Sequence, residues 1–179
     1  MKKHFWLALA FILVGCATLP VLPWCAKARA TAVFTATAPD SRVSGTASFI
    51  ETSKGLRVSV RVAHATPGMH GFHIHEGNSC GDMGKAAGGH FNPAGVKHGY
   101  LPTEGLLQSH AGDLGNIRVG RSGRGSRTYF IPEMSVVGGN FPVAGKTVIL
   151  HAKQDDLASQ PAGNAGERIA CGVIMVQGQ

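Results

Sequence analysis

LRVSVRVA, Leu56 to Ala63, sets leucine or valine at every second position with arginine or serine between. Strand side chains alternate between two faces, so this octet buries one face and wets the other, whereas a helix would scatter the same residues around its surface. The polar-glycine turn Ser53-Lys54-Gly55 precedes it, and VSGTASFIE, Val43 to Glu51, lies on the turn's other side. Two strands joined by a turn are predicted here.

The period of two recurs in AVFTATA and MHGFHIHE (Met69 to Glu76), and IRVG, SRTYFI, KTVILHA and RIACGVIMV supply further short strands. Around eight strands, with 25 glycines and 9 prolines to turn the chain, predict an all-β fold: an eight-stranded Greek-key β-barrel or sandwich. At 179 residues and 44% hydrophobic content, one domain with a proper core is expected. No internal repeat, heptad or low-complexity tract interrupts it. Two connections are unusually long, Gly77 to about Gly115 and Lys153 to about Glu167. Loops of that length carry function or need an external tie.

MKKHFWLALAFILVG opens with a short cationic head and an apolar run from Phe5 to Val14, the pattern of an export signal and too short for a comfortable membrane span. Cleavage at Ala28-Arg29-Ala30 would divide the chain into a signal, 1–30, and a domain, 31–179. Leu13-Val14-Gly15-Cys16 resembles a lipobox, so cleavage before a lipidated Cys16 is the alternative, and only then is a membrane a partner. The expected location is periplasmic or extracellular. Of the four cysteines, Cys80 and Cys171 remain after the first cleavage; an even pair in an oxidising compartment reads as one disulfide, with two buried thiols the other reading. The formal charge is +7, but the first thirty residues hold four bases and no acid, leaving 13 bases and 10 acids in the domain. With no basic run and scattered aromatics, a nucleic-acid partner is excluded.

The first long connection and the strands that lead into the two connections hold most of the histidines. His73 and His75, two apart on a strand, project from one face while Phe72 and Ile74 take the other. The first long loop offers His90 and His98 in GGHFNPAGVKHG, then His110 and Asp113 in SHAGDLGN; the strand VILHA adds His151. Three histidines and an aspartate from one loop suit tetrahedral zinc and would pin the loop down. An imidazole set on rigid strands suits copper.

GFHIHE, GGHFNP, HAGDLGN and GNAGERIACGVI together resemble the signatures of the secreted bacterial copper/zinc superoxide dismutases, over essentially the whole chain after the signal. The resemblance implies one copper on His73, His75, His90 and His151 and one zinc on His90, His98, His110 and Asp113, with His90 shared. It implies that Asp155 links a copper-ligand and a zinc-ligand histidine, and that Arg168 holds superoxide, the substrate, beside copper. A Cys80–Cys171 bridge would then tether the loop after the copper-ligand strand to the strand of Arg168. His90 would also act as a proton source. His70 is expected to hydrogen-bond a loop backbone and His64 to face solvent. A homodimer is possible in this family. A copper-buffering or copper-delivery protein on the same fold is the competing function, and it would need neither a shared histidine nor an anion-holding arginine.

Overall fold

The structure, a computed structural model, describes residues 27–178; Cys16, Cys25 and all but the last four residues of the expected signal, 1–30, lie outside them. Its strands are β1 (Arg29–Ala36), β2 (Ser44–Thr52), β3 (Gly55–Ala63), β4 (Gly68–His75), β5 (Asn116–Val119), β6 (Gly125–Ile131), β7 (Met134–Ser135), β8 (Phe141–Pro142), β9 (Thr147–His151), β10 (Arg168–Val173) and β11 (Met175–Val176). Neighbours run β10-β9-β4-β5-β6-β3-β2-β1, and β10 also pairs with β1, which closes eight antiparallel strands into a barrel; β11 extends along β1. β4, β5 and β6 are consecutive neighbours while β3 lies beside β6, the Greek-key arrangement.

The alternation in β3 becomes its burial: Leu56, Val58, Val60 and Val62 enter the core, and Arg57 and Arg61 stay exposed. Each fully buried aliphatic side chain contributes roughly 1.5 to 3 kcal/mol. Phe34 of β1 and Phe72 of β4 meet across the interior with ring centroids 6.0 Å apart, so the first strand and the histidine strand share one core.

Four local features depart from the sequence reading. β1 begins at Arg29, two residues before its alternation becomes legible, because Ala30 is buried and pairs with both Phe49 and Val176. The run RIACGVIMV breaks at buried Ile174, whose N–H donates to the Lys146 carbonyl at 2.8 Å and divides β10 from β11. The long loop contains a 3₁₀ turn, Lys85–Ala87, and one α-helical turn, α1 (Leu101–Glu104), with Pro102 in its first turn and Gly105 after its last, the usual start and stop residues. β7 and β8 form a short parallel pair that the sequence reading lacked.

Candidate metal centre

On β4, Phe72 and Ile74 point into the core, while His73 and His75 leave by the outer face yet are only 0% and 1% exposed. The two long loops cover them by hydrogen-bonding the strand itself. Gly71 N–H donates to Lys153 O at 2.8 Å, Ile74 N–H to Gly112 O at 3.0 Å, and Phe91 N–H to Ile74 O at 2.9 Å. Gly112 can approach this closely only without a side chain, since a Cβ would lie 2.0 Å from the Ile74 carbonyl oxygen. That approach brings the neighbouring Asp113 beneath the histidines.

Two groups of buried ligand atoms result, each with all its atoms within 4.8 Å of one another: His73, His75, His90 and His151; and His90, His98, His110 and Asp113. His151 comes from the end of β9, which pairs with β4, and its Nε2 lies 3.4 Å from Nε2 of His75. In the second group Asp113 Oδ1 is 2.7 Å from His90 Nδ1, 3.0 Å from His98 Nδ1 and 3.1 Å from His110 Nδ1. Ligands about 2.0 Å from a tetrahedral ion sit roughly 3.3 Å apart, so these atoms stand near the spacing that such an ion would need. His90 stands between the groups, its ring centroid 4.1 Å from that of His73 and 5.3 Å from that of His98.

The opposite ring nitrogens are held by the protein. Asp155 accepts from His73 Nε2 at 2.7 Å and from His98 Nε2 at 3.0 Å, one carboxylate oxygen to each ring. The Gly88 carbonyl accepts from His75 Nδ1 at 3.0 Å and that of Gly166 from His151 Nδ1 at 3.1 Å. These bonds fix the tautomers and leave His73 Nδ1, His90 Nε2 and His98 Nδ1 buried without any hydrogen-bond partner. Unsatisfied buried nitrogens that fall within two compact ligand groups fit metal ions.

Burial, followed by the neighbouring histidines, lowers the pKa of His75, brings His90 to about 4 and His151 to about 3. All three are therefore neutral at pH 7, the form that binds metal. His98 goes the other way, to about 9: burial alone would lower it, but the carboxylates of Asp113 and Asp155 at its two nitrogens outweigh that. The Asp113 contribution is charge proximity, because the 3.0 Å contact lacks hydrogen-bond geometry. Both carboxylates are held far below the usual range: burial opposes this, and their histidine partners outweigh it.

Arg168 opens β10 opposite His151. Its Nη1 donates to Gly84 O and its Nη2 to Gly88 O, each at 2.6 Å. The Gly88 carbonyl thus serves both Arg168 and His75. Cys80 and Cys171 form a disulfide with Cα atoms 5.7 Å apart, fastening the start of this loop to β10. His70 lies with Nδ1 2.8 Å from His151 O and Nε2 2.8 Å from Thr66 O, a backbone link as expected, and His64 is exposed. Asp156 is also exposed and accepts from Ala158 N, Ser159 N and Asn164 Nδ2.

The sequence reading missed several contributors. Asn116 holds the Asp155 backbone at two points, Nδ2 to its carbonyl at 2.9 Å and Oδ1 from its N–H at 2.8 Å; its place at the end of HAGDLGN was the available signal. The Thr37 hydroxyl donates to Arg168 O at 2.5 Å, with nothing in the sequence to mark it. An open groove of 780 Å³ beside Arg61, Arg118 and Arg124 shares no lining residue with the two metal groups.

A closed Greek-key barrel with two abutting ligand groups, one histidine common to both, defines a metalloprotein built for a pair of unlike ions. Residues 43–174 match the family model for copper/zinc superoxide dismutase. The superoxide dismutase [Cu-Zn] of Deinococcus radiodurans is 37% identical over 142 residues, covering 74% of this chain and 78% of the relative. A crystal structure of the clock protein EA4 superposes with a TM-score of 0.73 at 31% identity, covering 85% of this chain and 96% of that one. The chain belongs to the copper/zinc superoxide dismutase family. It is an oxidoreductase with superoxide as substrate and copper and zinc as cofactors.

Proposed function

We propose that His73, His75, His90 and His151 hold the copper and His90, His98, His110 and Asp113 the zinc, one ion of each per chain. The observation that carries this division is the His90 ring, with Nδ1 turned to Asp113 and a buried Nε2 that has no partner within the protein. Bound copper supplies the one-electron exchange by which one superoxide leaves as dioxygen and a second, with two protons, as hydrogen peroxide. The protein's own part is positional. Asp155 orients His73 and His98 together, and the carbonyls of Gly88 and Gly166 orient His75 and His151. His90 Nε2 is the atom at which a proton can be held for the departing product. Arg168 is half-buried and spends two donors on loop carbonyls, which aims the rest of its planar fork at a small anion.

Metal analysis of the reconstituted protein tests the division. Wild type should hold one copper and one zinc, and Asp113→Ala should lose zinc at least tenfold more readily while keeping copper. Loss of copper with zinc retained would reverse the assignment.

We place the mature protein in the periplasm or outside the cell, as a defence of the cell envelope. The disulfide supports this, since such bridges persist in oxidising compartments. Cleavage after Ala30 would remove the first two residues of β1, whereas a start at Cys16 would keep the strand whole. The intact mass of the exported protein distinguishes the two, a lipid on Cys16 adding its own mass. A homodimer is the assembly we propose, and sedimentation measures it.

A further inference from the structure

Gln160 is an exposed residue of the second long loop, of a type that ordinarily does no more than meet solvent. Its side-chain amide instead closes on a single residue of the other loop. Oε1 accepts from His98 N–H at 2.8 Å, and Nε2 donates to His98 O at 3.0 Å and to Ala158 O at 3.1 Å. A primary amide carries the same donor and acceptor as a peptide group, so Gln160 pairs with His98 as a neighbouring strand residue would, across 62 positions of sequence.

The rest of the segment closes on the same histidine. Asp155, five residues earlier, accepts from His98 Nε2 at 3.0 Å. Gly163, three residues later and at φ +63, passes so near that a Cβ would lie 1.7 Å from Asp155 Oδ1 and 2.7 Å from His98 Nε2. Its N–H donates to Ser159 O at 2.7 Å and its carbonyl accepts from Asp156 N at 2.8 Å, so the segment is folded tightly on itself. His98 is thereby held at its backbone N–H, its carbonyl and one ring nitrogen, all by residues 155–160, and only Nδ1 is left to face Asp113. The same loop carries the Gly166 carbonyl that orients His151.

We propose that Gln160 is a positioning residue for zinc: it clasps the His98 backbone so that Nδ1 is set for the ion, and it makes release of zinc require the second loop to lift from the first. This rests on the reading of His98 as a zinc ligand. The clasp acts on retention, because an ion can leave only when a ligand swings away, and a ligand fixed at both its backbone and its ring swings rarely.

The test uses the copper- and zinc-loaded enzyme, with a chromogenic chelator as zinc acceptor and hydrogen exchange read at the His98 amide. Gln160→Ala should release zinc roughly tenfold faster, as expected for the loss of two neutral hydrogen bonds to one residue. The His98 amide should exchange faster by a similar factor, with copper content unchanged. Gln160→Glu keeps the reach and the acceptor for His98 N–H but sets an oxygen against the His98 and Ala158 carbonyls, so it should release zinc at least as fast as the alanine variant. A Gln160→Ala enzyme with wild-type zinc release overturns the clasp, provided His98→Ala loses its zinc. If His98→Ala keeps its zinc, the ligand reading fails instead, and the clasp has no zinc to position. Faster exchange at His98 without faster zinc release also overturns the proposal, since it would reduce Gln160 to a loop fastener.

Discussion

At the scale of single residues, Arg168 separates an enzyme from a copper store. A store has no use for a guanidinium braced against Gly84 and Gly88, whereas an enzyme acting on a small anion does. Arg168→Ala should leave both metals in place and lower the superoxide rate about tenfold or more, the scale of charge-assisted hydrogen bonds. The rate should also depend less on ionic strength, because salt screens the charge that has been removed. Arg168→Lys should recover part of the rate, keeping charge without the fork. Stopped-flow rates across a salt series read both effects, and a full rate with full salt dependence in the alanine variant would falsify the role of Arg168.

Among the elements, the disulfide joins the turn that braces Arg168 to the strand that carries it. Cys171 and Cys80 pack with Ala87 and Ile149, so the bridge is also the centre of a small apolar cluster beneath Gly88. In the chain-entropy account, closing a span of 91 residues contributes about 4 to 5 kcal/mol. Replacing both cysteines with serine should lower unfolding stability by about 2 to 5 kcal/mol in urea titrations. It should lower activity as well, because the Gly84 and Gly88 carbonyls would no longer be fixed opposite the guanidinium. Much of this scale was legible in the sequence. The outward pair His73 and His75 follows from strand geometry, the first four barrel strands follow from alternation, and the later four were legible as short strand-like runs between turns. Illegible were contributions that leave no mark in side-chain type: the carbonyls of Gly88 and Gly166, the Thr37 hydroxyl, and the amide of Gln160, which acquire meaning only when tertiary structure brings distant backbone within reach. The early start of β1 was hidden for a related reason, since Ala30 is too small to signal burial on its own.

For the molecule as a whole, the charge states of the histidines set how stability depends on pH once metals are removed. His75, His90 and His151 resist protonation when folded, so between pH 3 and the unfolded value near 6.5 the unfolded chain binds more protons, and stability rises with pH. The depressed carboxyls of Asp113 and Asp155 act in the same direction below about pH 4. His98 acts oppositely: its contribution is complete below about pH 6.5 and is lost as pH rises through about 9. Thermal unfolding of chelator-stripped protein should therefore peak near pH 6.5, and a Tm that climbs steadily to pH 9 would contradict the assigned His98 environment.

The barrel closes where β1 meets β10, with Thr35 opposite Cys171 and Ala36 opposite Ala170. This seam unites the beginning and the end of the domain, and Arg168, proposed to hold the substrate, and one half of the disulfide both lie on its later strand. During synthesis every metal-binding side chain through His151 emerges before that strand does. A chain interrupted after His151 would own all its ligands and yet have an open sheet edge, no bridge and no anion gate. In chain order the cylinder is therefore shut last by β10, and the proposed site is whole only once that strand has docked.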